Sequence, residues 1–459
     1  MKKLPFLNRY KEIEKLQKLW NSDNPQLAIV YGRRRCGKSR LLQHLRTTET
    51  IYFLADQSDS TLQRHSLAVE IARMVPGFDT VLYPSWDAIL SSMARAVPKG
   101  TRLILDEFPY LVRNSPELPS ILQKLIDRPD GPGASILLCG SSQRMMHGIA
   151  LDANAPLYGR ASEIIKVRPL SVGWIADALK LDATAALEYY SVFGGVPRYW
   201  ELAADYDSIT EAFTNIILDR DGILHDEPIR LLADDLRSAV QPYSILSLVG
   251  AGCHRLSEIA SRLGKPAGSL ARPISTLMEL GYIRREYPFG HNPRSSKRTL
   301  YKLDDPFLSF YFRFVYPEKS LLEMGLTSRV CQKLKPRFAS HVGEMWEELA
   351  RQVLPQLDIE HFGWGVGRRW WGNGLDGKPL EIDIVAESHD GKSILIGEAK
   401  WQKANAETLS KKLRIVAGNL PFAEGKNIVQ VIFIRENSSA IGISDTIVIT
   451  PNDVVGVLK

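Results

Sequence analysis

Eight residues near the start of the chain, Gly32-Arg33-Arg34-Arg35-Cys36-Gly37-Lys38-Ser39, constrain the fold more than any other stretch. They follow the apolar run QLAIVY (Gln26–Tyr31) and precede the helix-like LLQHL. The spacing is G-x-x-x-x-G-K-S, and a strand before it with a helix after it is the context that makes such a loop a phosphate cradle. Its glycines allow backbone N–H groups to approach phosphate oxygens. Lys38 is then expected to reach the β- and γ-phosphates of ATP, with the Ser39 hydroxyl on Mg2+. Gly32 through Ser39, with Arg40 after them, are the expected nucleotide contacts.

A loop of this kind needs a sheet behind it. Thr101–Leu105 (TRLIL) and Ser135–Cys139 (SILLC) are two more short apolar runs separated by helical stretches. That alternation predicts an α/β fold with a buried parallel sheet. The first of these runs ends in Asp106-Glu107. An Asp-Glu pair alone reads as solvated carboxylates. Beside a matched phosphate loop, Asp106 becomes a candidate metal ligand and Glu107 the group that polarises the attacking water. Ser141 and Ser142 end the next run, where a hydroxyl could orient water or simply make a turn.

Composition limits the rest. A chain of 459 residues corresponds to about three domains. Lys and Arg number 58 and Asp and Glu 52, a net +6 that permits a nucleic-acid partner without requiring one. Four cysteines are scattered without a C-x-x-C pair, which argues against a disulfide framework or a zinc ribbon. The start MKKLPFLNRYKEIEKL lacks a signal-peptide core, and no run of apolar residues is long enough to span a bilayer. A cytoplasmic protein with no membrane partner is expected.

YGRRRCGKSRLL, LILDEFPYL, LLCGSS, PLYGR and GGVPRYW occur in that order, after the opening LNRYKEIEKL. Over about residues 5–240 this series resembles the archaeal-type AAA+ ATPases of the STAND group, Arg9 matching an arginine of their N-terminal motif. The resemblance implies that Arg160 serves as an arginine finger or γ-phosphate sensor. It also implies that Pro197 lies on a helical lid near the nucleotide. Read without it, Arg160 is a surface ion-pair partner, and Gly194, Gly195 and Pro197 form a helix-breaking turn.

Residues 241–304 change rhythm. Tyr243–Val249, Arg255–Gly264 and Ser269–Leu280 read as helices, and Tyr282–Tyr287 and Arg298–Leu303 as strands around a polar loop. Three helices and a hairpin make a winged helix. Leu270, Ile274, Leu277 and Leu280 share an apolar face, which leaves Ser269 and Arg272 outward, while Pro273 must kink or restart the helix. Arg284, Arg285, Arg294, Lys297, Arg298 and Lys302 stand against Glu286 alone. Such a cluster suits DNA phosphates, although winged helices also bind proteins.

The tail carries a second constellation. In LEIDIV (Leu380–Val385) alternation puts Glu381 and Asp383 on one strand face, and in ILIGEAK (Ile394–Lys400) it does the same for Glu398 and Lys400. Pairing the two strands would gather Asp383, Glu398 and Lys400. Two carboxylates suit Mg2+, and an adjacent lysine can position water for attack on a phosphodiester. Upstream, GEMWEE (Gly343–Glu348) sits on a predicted helix able to add a carboxylate. Over about residues 305–459 this resembles the restriction-endonuclease-like (PD-D/ExK) fold, and in particular the nuclease-like domain often fused to these ATPases. The resemblance implies Glu347, Asp383 and Glu398 as metal ligands and Asp383, Glu398 and Lys400 as catalytic residues. Trp346 stands where the family has Phe, and Ile382 where a proline usually precedes the aspartate.

The expected organisation is a P-loop ATPase core (1–170), a helical lid (171–240), a winged helix (241–304) and an α/β nuclease-like domain (305–459). ATP and Mg2+ are the expected cofactors and DNA the expected partner, with a homo-oligomer left open. The competing reading is a nucleotide-gated regulator or scaffold whose tail binds without cutting.

Overall fold

The computed structural model describes residues 4–236, 238–293, 296, 298–436 and 446–459. The chain divides into two compact units. One contains Phe6–Pro169 and the residues that follow Ile229 in the helix Glu227–Asp235; the other contains Leu170–Ile229 and Ser238–Lys459.

The first unit is built on a five-stranded parallel sheet in the order β2-β3-β4-β1-β5. Its strands are β1 (Leu27–Tyr31), β2 (Thr50–Leu54), β3 (Arg102–Asp106), β4 (Ser135–Gly140) and β5 (Glu163–Lys166). The three apolar runs form the middle, where β1 and β4 are buried along their whole length. Edge strands β2 and β5 are less apolar and only partly buried. Helices Ser60–Ala72 and Trp86–Ala96 bury Leu67, Ile71, Ile89 and Met93 in the same core as Ile51, Leu103 and Ile136.

The second unit opens with helices from Val172 to Leu218. Three helices follow at Val240–Gly250, Leu256–Leu263 and Ala271–Glu279, the last preceded by a 3-10 turn at Ala267–Leu270. Pro273 therefore falls in the first helical turn, where its missing N–H has no intrahelical partner to lose. Leu270, Ile274, Leu277 and Leu280 are buried, and Ser269 and Arg272 are exposed. Strands β6 (Ile283–Glu286) and β7 (Leu300–Leu303) pair antiparallel and complete a winged helix. Arg294 and Lys297 lie outside the described residues.

The helix Thr327–Val353 then leads into a mixed sheet ordered β12-β11-β10-β9-β8. These strands are β8 (Arg368–Asn373), β9 (Pro379–Glu387), β10 (Ser393–Lys400), β11 (Asn427–Ile434) and β12 (Ile447–Ile449). β8, β9 and β10 are antiparallel neighbours, whereas β10, β11 and β12 run parallel. A parallel neighbour requires a crossover. The helix Ala406–Ala417 supplies it and buries Ala406 and Leu413 against Ile394, Ile396 and Ile432.

Candidate functional site

The strand order decides the geometry of the nucleotide end. β4 lies between β1 and β3. The C-terminal ends of these parallel strands therefore deliver the loop Gly32–Ser39, the pair Ser141-Ser142 and the pair Asp106-Glu107 side by side. Ligands of open α/β sheets bind at such strand ends.

The loop is held by its backbone. Gly32 has φ 151°, and a Cβ there would lie 2.3 Å from the Val167 carbonyl oxygen, so no larger residue fits. Gly37 has φ 91° and starts the helix Lys38–His44. Arg35 adopts φ 68°, a left-handed conformation uncommon outside glycine. Arg9 is buried and donates to the carbonyls of Cys36 at 3.1 Å and Arg168 at 2.6 Å, tying the loop to the end of β5. Lys38 is also buried, and its Nζ donates to the carbonyls of Gly32 and Arg33 at 3.0 and 3.1 Å. Ser39 and Arg40 follow in the first turn of the helix.

Asp106 is fully buried at the end of β3. Its Oδ1 accepts the Glu107 N–H at 2.9 Å, and its Oδ2 accepts the Tyr52 hydroxyl at 2.7 Å. Burial and the neighbouring Asp106 raise the Tyr52 pKa far above its ordinary value, so the phenol stays a donor. Glu107, with φ 54°, accepts the Ser141 hydroxyl on Oε2 at 2.7 Å. The carboxylate expected to polarise water is thus oriented by the serine at the end of β4.

Sequence reasoning missed two parts of this site. Tyr52 belongs to edge strand β2, which carries no motif. The end of the helix Glu227–Asp235 also docks here. Arg34 pairs with Asp234 at 3.0 Å, the Ser142 hydroxyl donates to the Asp234 carbonyl at 3.1 Å, and the Gln143 N–H donates to Asp235 Oδ1 at 3.0 Å. The sequence signal was only an acidic pair after an apolar one, in LLADD.

Arg160 makes a two-pronged contact with Asp127, Nε and NH2 donating at 2.9 and 2.8 Å. It also donates to the Pro156 and Tyr158 carbonyls. Pro197 belongs to the second unit, where it opens the helix Pro197–Ala203. The preceding Gly195 packs on Leu170, whose carbonyl oxygen would lie 1.9 Å from an added Cβ.

In the tail, β9 and β10 pair with Ile384 opposite Gly397. That register gathers three of the expected side chains. Lys400 Nζ lies 3.5 Å from Asp383 Oδ2 and 2.9 Å from Glu398 Oε1. Asp383 Oδ2 also accepts the Ala399 N–H at 3.3 Å. Lys412, on the crossover helix that the sequence did not signal, donates to the same Glu398 oxygen at 2.8 Å. Burial disfavours ionised Glu398, but the bonds from Lys412 and Lys400 outweigh it and hold its pKa below the ordinary value. Glu347, on the helix Thr327–Val353, is pushed up to about 7 by burial and then by the charge of Asp383. Glu381 instead pairs with Arg369. Asp383 and Glu398 offer the oxygen ligands a divalent cation needs. Among the described residues, however, no three His, Cys, Asp or Glu side chains are grouped to hold a metal ion.

The wing cations are partly engaged within the molecule. Arg284 pairs with Glu348 at 2.8 Å and Lys302 with Glu286 at 3.1 Å. Arg285 donates to the Thr299 hydroxyl at 3.1 Å.

Comparisons with known proteins agree with the first unit and the winged helix. Residues 6–201 match a family described as an ATPase domain predominantly from Archaea. Residues 245–286 match the IclR helix-turn-helix domain. The chain carries an archaeal P-loop ATPase domain and a helix-turn-helix region. Residues 311–412 match a family described as archaeal and bacterial proteins of unknown function, so the matched families assign no endonuclease to the tail. An uncharacterized protein of Methanocaldococcus jannaschii is 27% identical over 421 residues, covering 89% of this chain and 90% of its own length. The Walker-type ATPase of Pyrococcus abyssi shares the fold at TM-score 0.50 and 21% identity, over 67% of this chain and 96% of its own. The Aeropyrum pernix ORC2 protein, described in ADPNP–ADP complexes, has TM-score 0.46 at 14% identity over 72% of this chain and 96% of its own. Among the described residues no helix is long and apolar enough to cross a membrane.

Proposed function

We propose that this chain binds and hydrolyses ATP, binds DNA through its winged helix, and carries a magnesium-dependent endonuclease site in its tail. The observation that carries the nucleotide half is the strand order β3-β4-β1, which sets Lys38, Ser39, Ser141, Asp106 and Glu107 on adjacent strand ends. Lys38 exchanges its loop carbonyls for phosphate oxygens. Ser39 and Asp106 are an oxygen pair suited to Mg2+, which when bound neutralises charge on the phosphates. Glu107, oriented by Ser141, accepts a proton from the attacking water. Arg160 is proposed as the arginine finger, which must exchange Asp127 for phosphate. Pro197 is proposed to border the nucleotide from the lid.

The cleavage half rests on Lys400 touching both Asp383 and Glu398. Those two carboxylates would offer Mg2+ its protein oxygens, Glu347 would have to move in to join them, and the ion when bound would polarise a phosphodiester. Lys400 would then position water. A second reading has its own support. Two lysines already neutralise Glu398, an arrangement equally suited to a tail that binds without cutting.

Phosphate release by the wild-type chain and two variants tests the ATPase. Lys38→Ala removes a contact to developing charge worth about 3 kcal/mol, so turnover should fall more than about a hundredfold. Glu107→Gln should keep ATP binding and hydrolyse slowly. Near-normal turnover in folded Lys38→Ala would overturn the assignment. Plasmid and branched DNA left intact with Mg2+ or Mn2+ would favour the non-cutting tail.

A further inference from the structure

Arg284 stands in β6 at the base of the wing. Its NH2 donates to Glu348 Oε2 at 2.8 Å and its NH1 to the Leu303 carbonyl at 3.0 Å. The same Glu348 oxygen accepts from Arg351 NH2 at 3.0 Å. Arg351, whose side chain is only 5% exposed, turns its NH1 to the Asp383 carbonyl at 2.9 Å. An unbroken chain of charged hydrogen bonds therefore runs from the wing, through the helix Thr327–Val353, to the strand residue that bears one of the candidate metal ligands. Glu347 and Glu348 are consecutive on that helix yet do different work. Glu347 feels the charge of Asp383, and Glu348 holds the two arginines.

The chain is costly to break at one end. Buried charges are tolerated when paired, and removing one partner leaves the other uncompensated. If Arg284 gripped a DNA phosphate, Glu348 would lose one of its two arginines and keep Arg351 and the Gln352 amide. Arg284, with a side chain 25% exposed, is therefore committed to Glu348 rather than to a DNA phosphate. The far end of the chain is equally constrained. Asp383 must keep its carboxylate on Lys400 and on the Ala399 N–H at once, and the Arg351 bond to its backbone carbonyl sets where that residue sits.

We propose that Arg284 and Arg351, bridged by Glu348, are positioning residues that fix Asp383 in the carboxylate–lysine site, so that this site is complete only with the winged helix in place. The proposal rests on reading the tail as a nuclease site. It also means that residues 305–459 alone lack Arg284 and form a weaker site than the full chain.

The test uses the full chain with Arg284→Gln, Arg284→Lys, Glu348→Gln and the double variant Arg284→Gln/Glu348→Gln. Cleavage with Mn2+, the salt dependence of DNA binding and amide hydrogen exchange over residues 383–400 are measured. Arg284→Gln and Glu348→Gln should each lower cleavage about 10–100-fold, the usual range for residues that support a metal ligand. The double variant should be no worse than either single one, because both break the same chain. Arg284→Lys should restore most of the activity. The salt slope should not change, and the Ala399 amide should exchange faster in both Gln variants. A slope reduced by about 0.9 in Arg284→Gln, with Glu348→Gln like wild type, would make Arg284 a phosphate contact and overturn the proposal. If the wild-type chain cuts no DNA, the nuclease reading fails and the exchange measurement decides the positioning alone. Faster exchange in both Gln variants, reversed in Arg284→Lys, supports it, and unchanged exchange overturns it.

Discussion

His341 shows what a single residue contributes away from any motif. It is 2% exposed on the helix Thr327–Val353, among the rings of Phe310, Phe314 and Phe338. One ring nitrogen, Nε2, lies 2.9 Å from the Ser191 carbonyl and so carries the proton. Burial lowers its pKa to about 4, against the smaller raising effect of the Ser191 bond. The unfolded chain binds this proton near the ordinary value of about 6.5. Stability from neutral His341 is therefore fully present above that value and is lost as pH falls toward 4. The loss should be on the order of 3 kcal/mol. Urea unfolding at pH 7 and pH 4.5 measures it. His341→Phe should show a lower baseline but a smaller drop between the two conditions, and an equal drop would refute the account.

At the scale of elements, the segment that follows Ile229 belongs to the ATPase unit, burying Leu231 and Leu232 and making hydrogen bonds through its acidic end. Asp235 is buried and holds the Gln143 N–H, while Asp234 meets Arg34 and Ser142. A hydrogen bond to a charged group contributes about 1.5–3 kcal/mol. Asp235→Ala should therefore loosen this docking. Faster hydrogen exchange at Gln143 and over residues 230–235 would show it, along with altered nucleotide affinity. Protection equal to wild type would mean that the helix is held by packing instead. The long helix offers a different lesson. It runs from Thr327 to Val353 with Pro336 inside it, although a proline read alone marks a helix boundary. Strands β2 and β5 were not anticipated, since edge strands need less apolar surface than the buried strands between them.

At the scale of the whole molecule, the two proposed chemistries occupy separate compact units. Asp383→Ala should stop DNA cleavage and leave ATP turnover unchanged, because it removes a ligand from the tail alone. Lys38→Ala should do the reverse for any cutting that does not depend on ATP. Phosphate release and plasmid cleavage measured on the same preparations check both. Loss of ATP turnover in Asp383→Ala would show that the variant disturbs more than its own site. Cleavage by Asp383→Ala at the wild-type rate would move the nuclease activity elsewhere.

Local chemistry carried much of this protein in its linear order. The glycines and lysine of the phosphate loop, the apolar runs of β1, β3 and β4, and the alternation of β9 and β10 are readable because a few consecutive residues settle each. Alternation also placed Asp383, Glu398 and Lys400 together, since antiparallel neighbours with a short turn leave few registers. Only tertiary structure could show Tyr52 on Asp106, Asp235 on Gln143, Lys412 on Glu398, and Arg284 on Glu348. Each pair joins residues whose separation in sequence follows no helical or strand period. Several also consist of charged groups that, read alone, look like solvated surface. Burial brought these charges together, and the energetic penalty of leaving one unpaired keeps them so.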